Sequence, residues 1–234
     1  CLKILLMKNN KLKISAILSG VLTLCFILFT ILVKFVDTAY VGITGKKIGL
    51  SSLNAVFYNK IKVSDLFDKL SDVLMIISIA AVALIAVISI IQLVKRKSLK
   101  KIDREIYAFA IVLVLMACIY VLFEVIDLNF RPILIDGKVE ASYPSSHTML
   151  ALTVFMCIMV YCLSNLKSNK YKIISSSILG AVIIAVVLFR VLSGMHWVTD
   201  IIASIILSLM LTSYYILIDA IFLKFGDKNG KQGQ

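Results

Sequence analysis

Two short polar windows hold the side chains of this 234-residue chain that are best suited to chemistry. The first, at 131–147, reads RPILIDGKVEASYPSSH, and the second, at 190–200, reads RVLSGMHWVTD. Each window begins with an arginine and contains one of the chain's two histidines, His147 and His196. Histidine is the side chain best suited to both nucleophilic attack and proton transfer near neutral pH. The pattern therefore indicates chemistry on an anion.

The spacing of the polar residues fits phosphate chemistry. His196 and Asp200 are four residues apart, so they would share one face at the start of a helix. A carboxylate that accepts the proton-bearing nitrogen of an imidazole fixes its tautomer and leaves the other nitrogen free to attack. Arg131 and Arg190 suit bidentate contact with phosphate oxygens.

Ser145 and Ser146 lie where a helix is expected to begin, directly after Pro144. Proline suits a helix start, where its missing N–H costs nothing. The serine hydroxyls and the free backbone N–H groups of the first turn are therefore expected to hold an anion. Two other residues are expected to have structural rather than catalytic roles. Trp197 is expected to anchor the chain at a membrane interface, and Asp219, in the last apolar run, is expected to face the bundle or its edge.

The composition indicates an integral membrane protein. Hydrophobic residues make up 61% of the chain and charged residues 16%, whereas soluble domains are about 45–50% apolar. The net charge of +12 is therefore interpreted through membrane topology, and no nucleic-acid partner is expected, because polar helices with exposed aromatic residues are missing. The five cysteines show no metal-binding or disulfide spacing, and the sequence offers no carboxylate cluster, so neither a metal nor another cofactor is expected.

Six apolar runs have a length close to the roughly 20 residues that a helix needs to cross a bilayer. We therefore predict an all-α, polytopic bundle of six transmembrane helices, in which the short fourth helix extends back towards Ser145. The runs lie near 14–36, 73–94, 107–128, 148–164, 173–193 and 201–223.

The distribution of basic residues predicts the orientation of this bundle. Six spans place both termini on one side, together with the loops at 95–106 and 165–172. That side carries 16 of the 25 lysines and arginines, and an excess of basic residues marks the cytoplasmic face. We therefore expect a multi-pass plasma membrane protein with cytoplasmic termini and with both polar windows outside the cytoplasm.

Three regions are expected along the chain. Residues 1–106 form a two-span region, which includes an extracytoplasmic segment at 37–72. The apolar residues of that segment are roughly helical in spacing, which favours an amphipathic connector, with a lid over the site as the alternative. Residues 107–222 form a core of four spans, and 223–234 a cytoplasmic tail. Residues 1–6 are interpreted as sequence upstream of a natural start at Met7.

Three motifs resemble those of a known family. The P-S-S-H at 144–147 resembles the P-S-x-H motif of the type 2 phosphatidic acid phosphatase superfamily, which also includes the vanadium haloperoxidases. The segment 190–200 resembles that family's R-x5-H-x3-D motif, with Gly194 in its usual place, and the R-P at 131–132 resembles the end of its K-x6-R-P motif. The resemblance covers roughly 107–222, and the order of the motifs agrees.

The resemblance implies a role for each motif residue. His196 would attack phosphorus and form a phosphohistidine, with Asp200 orienting it. His147 would protonate the leaving-group oxygen and later help to activate water. The substrate phosphate would be bound by Arg131, Ser145, Ser146, Arg190 and Gly194.

Two positions depart from the family pattern. Glu124 stands where the first motif has its lysine, and Phe189 stands where a serine usually precedes Arg190. We expect Glu124, about two helical turns before Arg131, to pair with that arginine and orient it. Lys138 is the alternative source of the missing cation.

These expectations describe a metal-independent membrane lipid phosphatase or diphosphatase that acts at the outer face. Polyprenyl diphosphate, phosphatidylglycerol phosphate and phosphatidate are the candidate substrates, with the lipid bilayer as the other partner. Two alternatives remain open: a lipid phosphotransferase, and a catalytically impaired protein that binds lipid phosphates. A transporter or channel would predict charged or broken helices at mid-membrane depth, and the six runs contain almost none.

Overall fold

The structure is a computed structural model that describes the backbone from residue 2 to residue 230 and the side chains from 10 to 225. The predicted upstream segment 1–6 and the last part of the predicted tail, 231–234, lie outside the residues whose side chains are described. The start of that tail, from residue 223, continues the last helix.

Helices account for most of the described chain. They are α1 (Leu2–Phe35), α2 (Ser51–Tyr58), α3 (Asp65–Arg96), α4 (Arg104–Ile126), α5 (Ser146–Asn165), α6 (Asn169–Ser193) and α7 (Val198–Gly230), with a 3-10 turn at Leu99–Lys101. Two short strands, β1 (Ala39–Tyr40) and β2 (Lys47–Ile48), form an antiparallel pair. All helices but α2 are long and apolar enough to cross a membrane, so the predicted all-α, six-span bundle is confirmed.

The last helix lies at the centre of the bundle. α7 packs most extensively against α1, and it also contacts α5 and α4, while α3 packs against α6 and α5. Two serines of α7 allow the close approach to α5: Ser204 Oγ donates to the Ser145 carbonyl (2.9 Å) and Ser208 Oγ to the Met149 carbonyl (3.2 Å). Small side chains that hydrogen-bond across helices are a common packing device in membranes.

The segment at 37–72 is not one amphipathic connector, and the expectation is corrected here. Only 51–58 form a separate helix, α2, whereas residues from 65 onwards are the first turns of the spanning helix α3. Extended Ser64 precedes that helix, and Asp65 and Asp68 lie in its first turn, where carboxylates are favoured by the helix dipole. The apolar residues of the segment therefore keep a roughly helical spacing, although the chain leaves the helix and turns at 59–64, between α2 and α3.

The two ends of the bundle differ in their polar contacts. At one end, Asp219 is 7% exposed and binds both Lys11 (3.1 Å) and Arg104 (2.7 Å), which joins α1 and the start of α4 to α7. The bundle-facing position expected for Asp219 is thereby confirmed. At the other end, Arg131 of the first polar window contacts His196 of the second (3.2 Å), so the two windows do meet at one end.

The orientation of this bundle in the membrane can be tested by cysteine labelling. We expect Lys138→Cys, in the loop between α4 and α5, to react with a membrane-impermeant maleimide on intact cells. The matched variant Lys100→Cys, at the opposite end, should react only after the cells are opened. Both positions are exposed, and both variants would carry no other cysteine. The reverse labelling pattern would invert the predicted topology.

Candidate active site

The two polar windows form one cluster, built on the loop at 127–145, which we call the active-site loop, and on the ends of three helices. The loop folds back on itself, because the Arg131 N–H donates to the Glu140 carbonyl (3.0 Å) and the Ser142 N–H to the Asn129 carbonyl (2.9 Å). Gly194 ends α6 in the left-handed conformation (φ 69°), as glycine commonly does at this position. Residues 194–197 then form the turn into α7.

His196 is held by contacts to both of its ring nitrogens. Nδ1 lies 3.1 Å from the Ser142 carbonyl oxygen and 3.5 Å from Asp200 Oδ2, which are both acceptors. Nε2 lies 3.2 Å from Nη1 of Arg131, which is only a donor. These neighbours agree on one tautomer, in which Nδ1 carries the proton and Nε2 carries the lone pair.

The charge state of His196 agrees with that tautomer. Burial, followed by the charges of Arg190 and Arg131, holds the pKa of His196 well below its usual value of 6.5. The imidazole is therefore neutral at pH 7, as a nitrogen nucleophile must be.

Asp200 is fully buried and belongs to a ring of hydrogen bonds that reaches into the N-terminal half of the chain. Its Oδ1 accepts from Asn129 Nδ2 (3.3 Å), and Asn129 Oδ1 accepts from the Gly49 N–H (3.2 Å). The Gly49 carbonyl accepts from Asn54 Nδ2 (2.9 Å), and Asn54 Oδ1 accepts from the N–H of Thr199, the residue before Asp200 (3.2 Å). The ring fixes the carboxylate that faces His196.

Arg131 has a different carboxylate partner from the one expected. Its Nε lies 3.2 Å from Glu140 Oε2, whereas Glu124 is exposed on α4 and hydrogen-bonds Tyr120. The predicted Glu124–Arg131 pair is therefore wrong. The prediction assumed a continuous helix, but α4 ends at Ile126 and the next residue, Asp127, adopts the left-handed conformation (φ 48°), so the chain turns before it reaches Arg131.

Arg190 and its neighbour attach α6 to α3. The Arg190 side chain is 2% exposed, and its Nη1 donates to Asp68 Oδ1 at 2.6 Å. Phe189, which replaces the expected serine, packs its ring against Phe67 with 5.9 Å between centroids. Two consecutive residues of α6 thus contact two consecutive residues of α3, which gives the departure at 189 a packing role.

His147 also contacts a carboxylate of α3. Its Nε2 lies 3.2 Å from Asp72 Oδ1. Two nitrogens of the cluster are buried and have neither a hydrogen-bond nor an ion-pair partner within the described residues: Nε of Arg190 and Nδ1 of His147. Buried polar groups of native proteins are normally satisfied, so these two atoms are the ones that a bound anion would complete.

The remaining predicted binding residues take different positions. Ser145 is fully buried and its hydroxyl pairs with that of Thr148 (3.0 Å), so its side chain contributes to the helix start rather than to an open anion site. Ser146 is half-buried in the first helical turn, and Lys138 is exposed at the tip of the loop. A Cβ at Gly194 would lie 3.1 Å from Cα of Val63, which identifies a packing role for this glycine.

Trp197 is not an interfacial anchor, and that expectation is corrected. It is 1% exposed, its Nε1 donates to the Phe130 carbonyl (2.6 Å), and its ring lies 5.3 Å from that of Tyr58. Trp197 therefore fills the space between the active-site loop and α2. The sequence places Trp197 next to His196, but it does not show that other parts of the chain cover the Trp197 ring.

Sequence reasoning missed Asp68, Asp72 and Asn129. Asn129 lies two residues before the first motif arginine, which is the only local signal for it. Asp68 and Asp72 are four apart at the start of α3, so they share one helix face, yet their partners lie 122 and 75 positions further along the chain. Among the described residues, no group of three or more histidine, cysteine, aspartate or glutamate side chains is arranged to hold a metal ion.

Comparisons with known proteins support the family resemblance and the fold. Residues 126–221 match the model of the PAP2 superfamily. The described fold is similar to the crystal structure of a transmembrane PAP2 type phosphatidylglycerolphosphate phosphatase from Bacillus subtilis, with a TM-score of 0.60 and 21% identity, over 88% of this chain and 96% of that one. No curated protein sequence matches. The family resemblance and the fold class predicted from the sequence are thereby confirmed.

The buried, neutral His196 predicts a measurable pH dependence of stability. As the pH falls below 6.5, the unfolded chain binds a proton at this residue and the folded chain does not, so the free energy of unfolding decreases by up to about 1.4 kcal/mol per pH unit from this group. His196→Gln should therefore unfold thermally with a shallower pH dependence than the unsubstituted protein between pH 7 and 5 in detergent. Parallel curves for the two proteins would contradict the assignment.

Proposed function

We propose that this chain, whose residues 126–221 match the PAP2 superfamily, is a membrane phosphatase that releases phosphate from lipid phosphates or diphosphates through a phosphohistidine on His196. One observation carries the proposal. The lone pair of His196 Nε2 lies in a cluster with the buried Arg190 and the half-buried Arg131, and two buried nitrogens, Nε of Arg190 and Nδ1 of His147, have no hydrogen-bond partner among the described residues. A phosphoryl group supplies oxygens for such donors and an electrophilic phosphorus for the imidazole.

The first step is the transfer of the phosphoryl group to the enzyme. His196 Nε2 attacks phosphorus, and the N–P bond forms as the bond from phosphorus to the leaving oxygen breaks. Arg131 and Arg190 stabilise the negative charge on the phosphoryl oxygens, since preorganised cations act strongly in a site shielded from water. Asp200 and the Ser142 carbonyl hold the Nδ1 proton and stabilise the positive charge that develops on the ring.

The second step is hydrolysis of the phosphohistidine. His147, having given its proton to the leaving oxygen, takes one from water as the oxygen of that water bonds to phosphorus and the N–P bond breaks. The enzyme returns to its initial protonation state, and one phosphate is released per cycle.

The substrate is proposed to be a lipid because the cluster lies at the end of a membrane bundle. A lipid presents its phosphate at that depth, and the distribution of lysines and arginines between the two sides of the bundle favours the extracytoplasmic leaflet. A further cation near the active-site loop is Lys46, whose Nζ lies 4.9 Å from the ring centroid of Phe130, the neighbour of Arg131.

Replacement of the proposed nucleophile tests the reaction. We expect His196→Ala to lower phosphate release by at least about a thousandfold, because nucleophilic catalysis is lost, while the protein still inserts and purifies as a folded bundle. The assay would follow purified protein with phosphatidate, phosphatidylglycerol phosphate and a polyprenyl diphosphate, with and without a chelator and vanadate. Lys100→Ala, at the opposite end, is the control variant and should retain full activity.

Two results of that assay would count against the proposal. Substantial activity in the His196 variant would remove the covalent mechanism, and appearance of phosphate on an added alcohol rather than in solution would identify a transferase.

The role of His147 predicts a dependence on the leaving group. We expect His147→Ala to lower turnover of an alkyl phosphate such as phosphatidate by about a hundredfold or more, but to affect an activated aryl phosphate much less, because a good leaving group needs little protonation. The ratio of the two losses is the measurement. Equal losses on both substrates would contradict the general-acid assignment.

A further inference from the structure

Two carboxylates of α3 contact the proposed active site from outside the segment that matches the family model. Asp68 and Asp72 are one helical turn apart, and their partners are Arg190 Nη1 (2.6 Å) and His147 Nε2 (3.2 Å). The two contacts are not equivalent. Asp68 neutralises a side chain that is 2% exposed, whereas Asp72, with 43% of its side chain exposed, contacts the ring proposed to move protons.

The contact of Asp72 leaves the other ring nitrogen of His147 available. Nδ1 is buried and has no hydrogen-bond partner among the described residues. If Nε2 carries the proton that faces Asp72, Nδ1 is the atom that gives and takes protons during the reaction. The arrangement is the reverse of that at His196, where Nδ1 faces the acceptors and Nε2, which carries the lone pair, faces the donor Nη1 of Arg131.

We propose that Asp72 is a positioning residue for the general acid: it holds the Nε2 proton of His147 and thereby directs Nδ1 to the leaving-group oxygen and then to the attacking water. The proposal rests on the proposed function. In the first step the Nδ1–H bond breaks and the proton passes to the leaving oxygen, while Asp72 keeps the Nε2 proton in place. In the second step the Nδ1 lone pair accepts a proton from water.

The charges around His147 show why such a partner is needed. Arg190 from α6 and Arg131 from the active-site loop both oppose a positive charge on this ring, and His196 lies beside them in the turn before α7. Asp68 and Asp72 are the negative groups that face it from α3, while Asp200, at the start of α7, is occupied by His196 and Asn129. Because Asp68 is already paired with Arg190, Asp72 is the carboxylate that can stabilise the protonated acid.

The test compares Asp72→Asn with Asp65→Asn, the same substitution at an exposed residue in the first turn of the same helix. With phosphatidate, we expect Asp72→Asn to lower kcat by roughly 10- to 100-fold with little change in KM, and to move the alkaline limb of the kcat profile down by about one pH unit. With an activated aryl phosphate the loss should be about threefold or less. Asp72→Glu should recover part of the activity, and Asp65→Asn should behave as the unsubstituted protein.

Several outcomes would overturn the inference. An equal loss on both substrates with an unchanged pH profile would make Asp72 merely structural. A lower KM with an unchanged kcat would make it a competitor of the substrate phosphate, and unaltered kinetics would leave it without a role. In each case the unsubstituted protein is active and His196→Ala is not, so only this inference fails. Absence of phosphate release by the unsubstituted protein would defeat the proposed function and this inference with it.

Discussion

The buried carboxylate of Asp200 is the constraint on which the rest of the site depends. A carboxylate at zero exposure is stable only when its lone pairs are satisfied, and here they are satisfied by Asn129 Nδ2 and the Trp197 N–H. Its backbone carbonyl also accepts from the Ser145 N–H (3.4 Å) and Ser204 Oγ (2.9 Å). One residue therefore ties the active-site loop, the start of α5 and the start of α7 together around His196.

The N-terminal half of the chain takes part in this network. Gly49 links Asn129 to Asn54, and it approaches α1 so closely that a Cβ would lie 1.4 Å from the Val33 carbonyl oxygen. Asp68 and Asp72 of α3 complete the surroundings of Arg190 and His147. The division into an N-terminal region and a core at 107–222 remains a prediction. Asp68 and Asp72, which contact charged or titratable side chains of the proposed core, lie outside it.

The sequence was sufficient for the features that depend on local pattern. Apolar runs of membrane-spanning length predicted six helices, and the spacing of His196 and Asp200 predicted their contact. Features that depend on where a helix ends, or on which other segments cover a residue, could not be predicted from the sequence. Glu124 was misplaced because a helix was extended past Ile126, and Trp197 because exposure cannot be read from residue type. Asp68 and Asp72 were missed because their contacts are made only in the assembled bundle.

The contacts between the first and last helices have a consequence for how the protein is made. α1 packs most extensively against α7, with Thr23 hydrogen-bonded to Tyr214 and Lys11 paired with Asp219, 191 and 208 positions apart. During synthesis the first helix enters the bilayer long before its main partner exists, and non-local pairings of this kind form late. His196 lies just ahead of α7, and Asp200 lies in the first turn of that helix. A ribosome-bound chain therefore cannot assemble the proposed active site until its final helix has been translated and inserted.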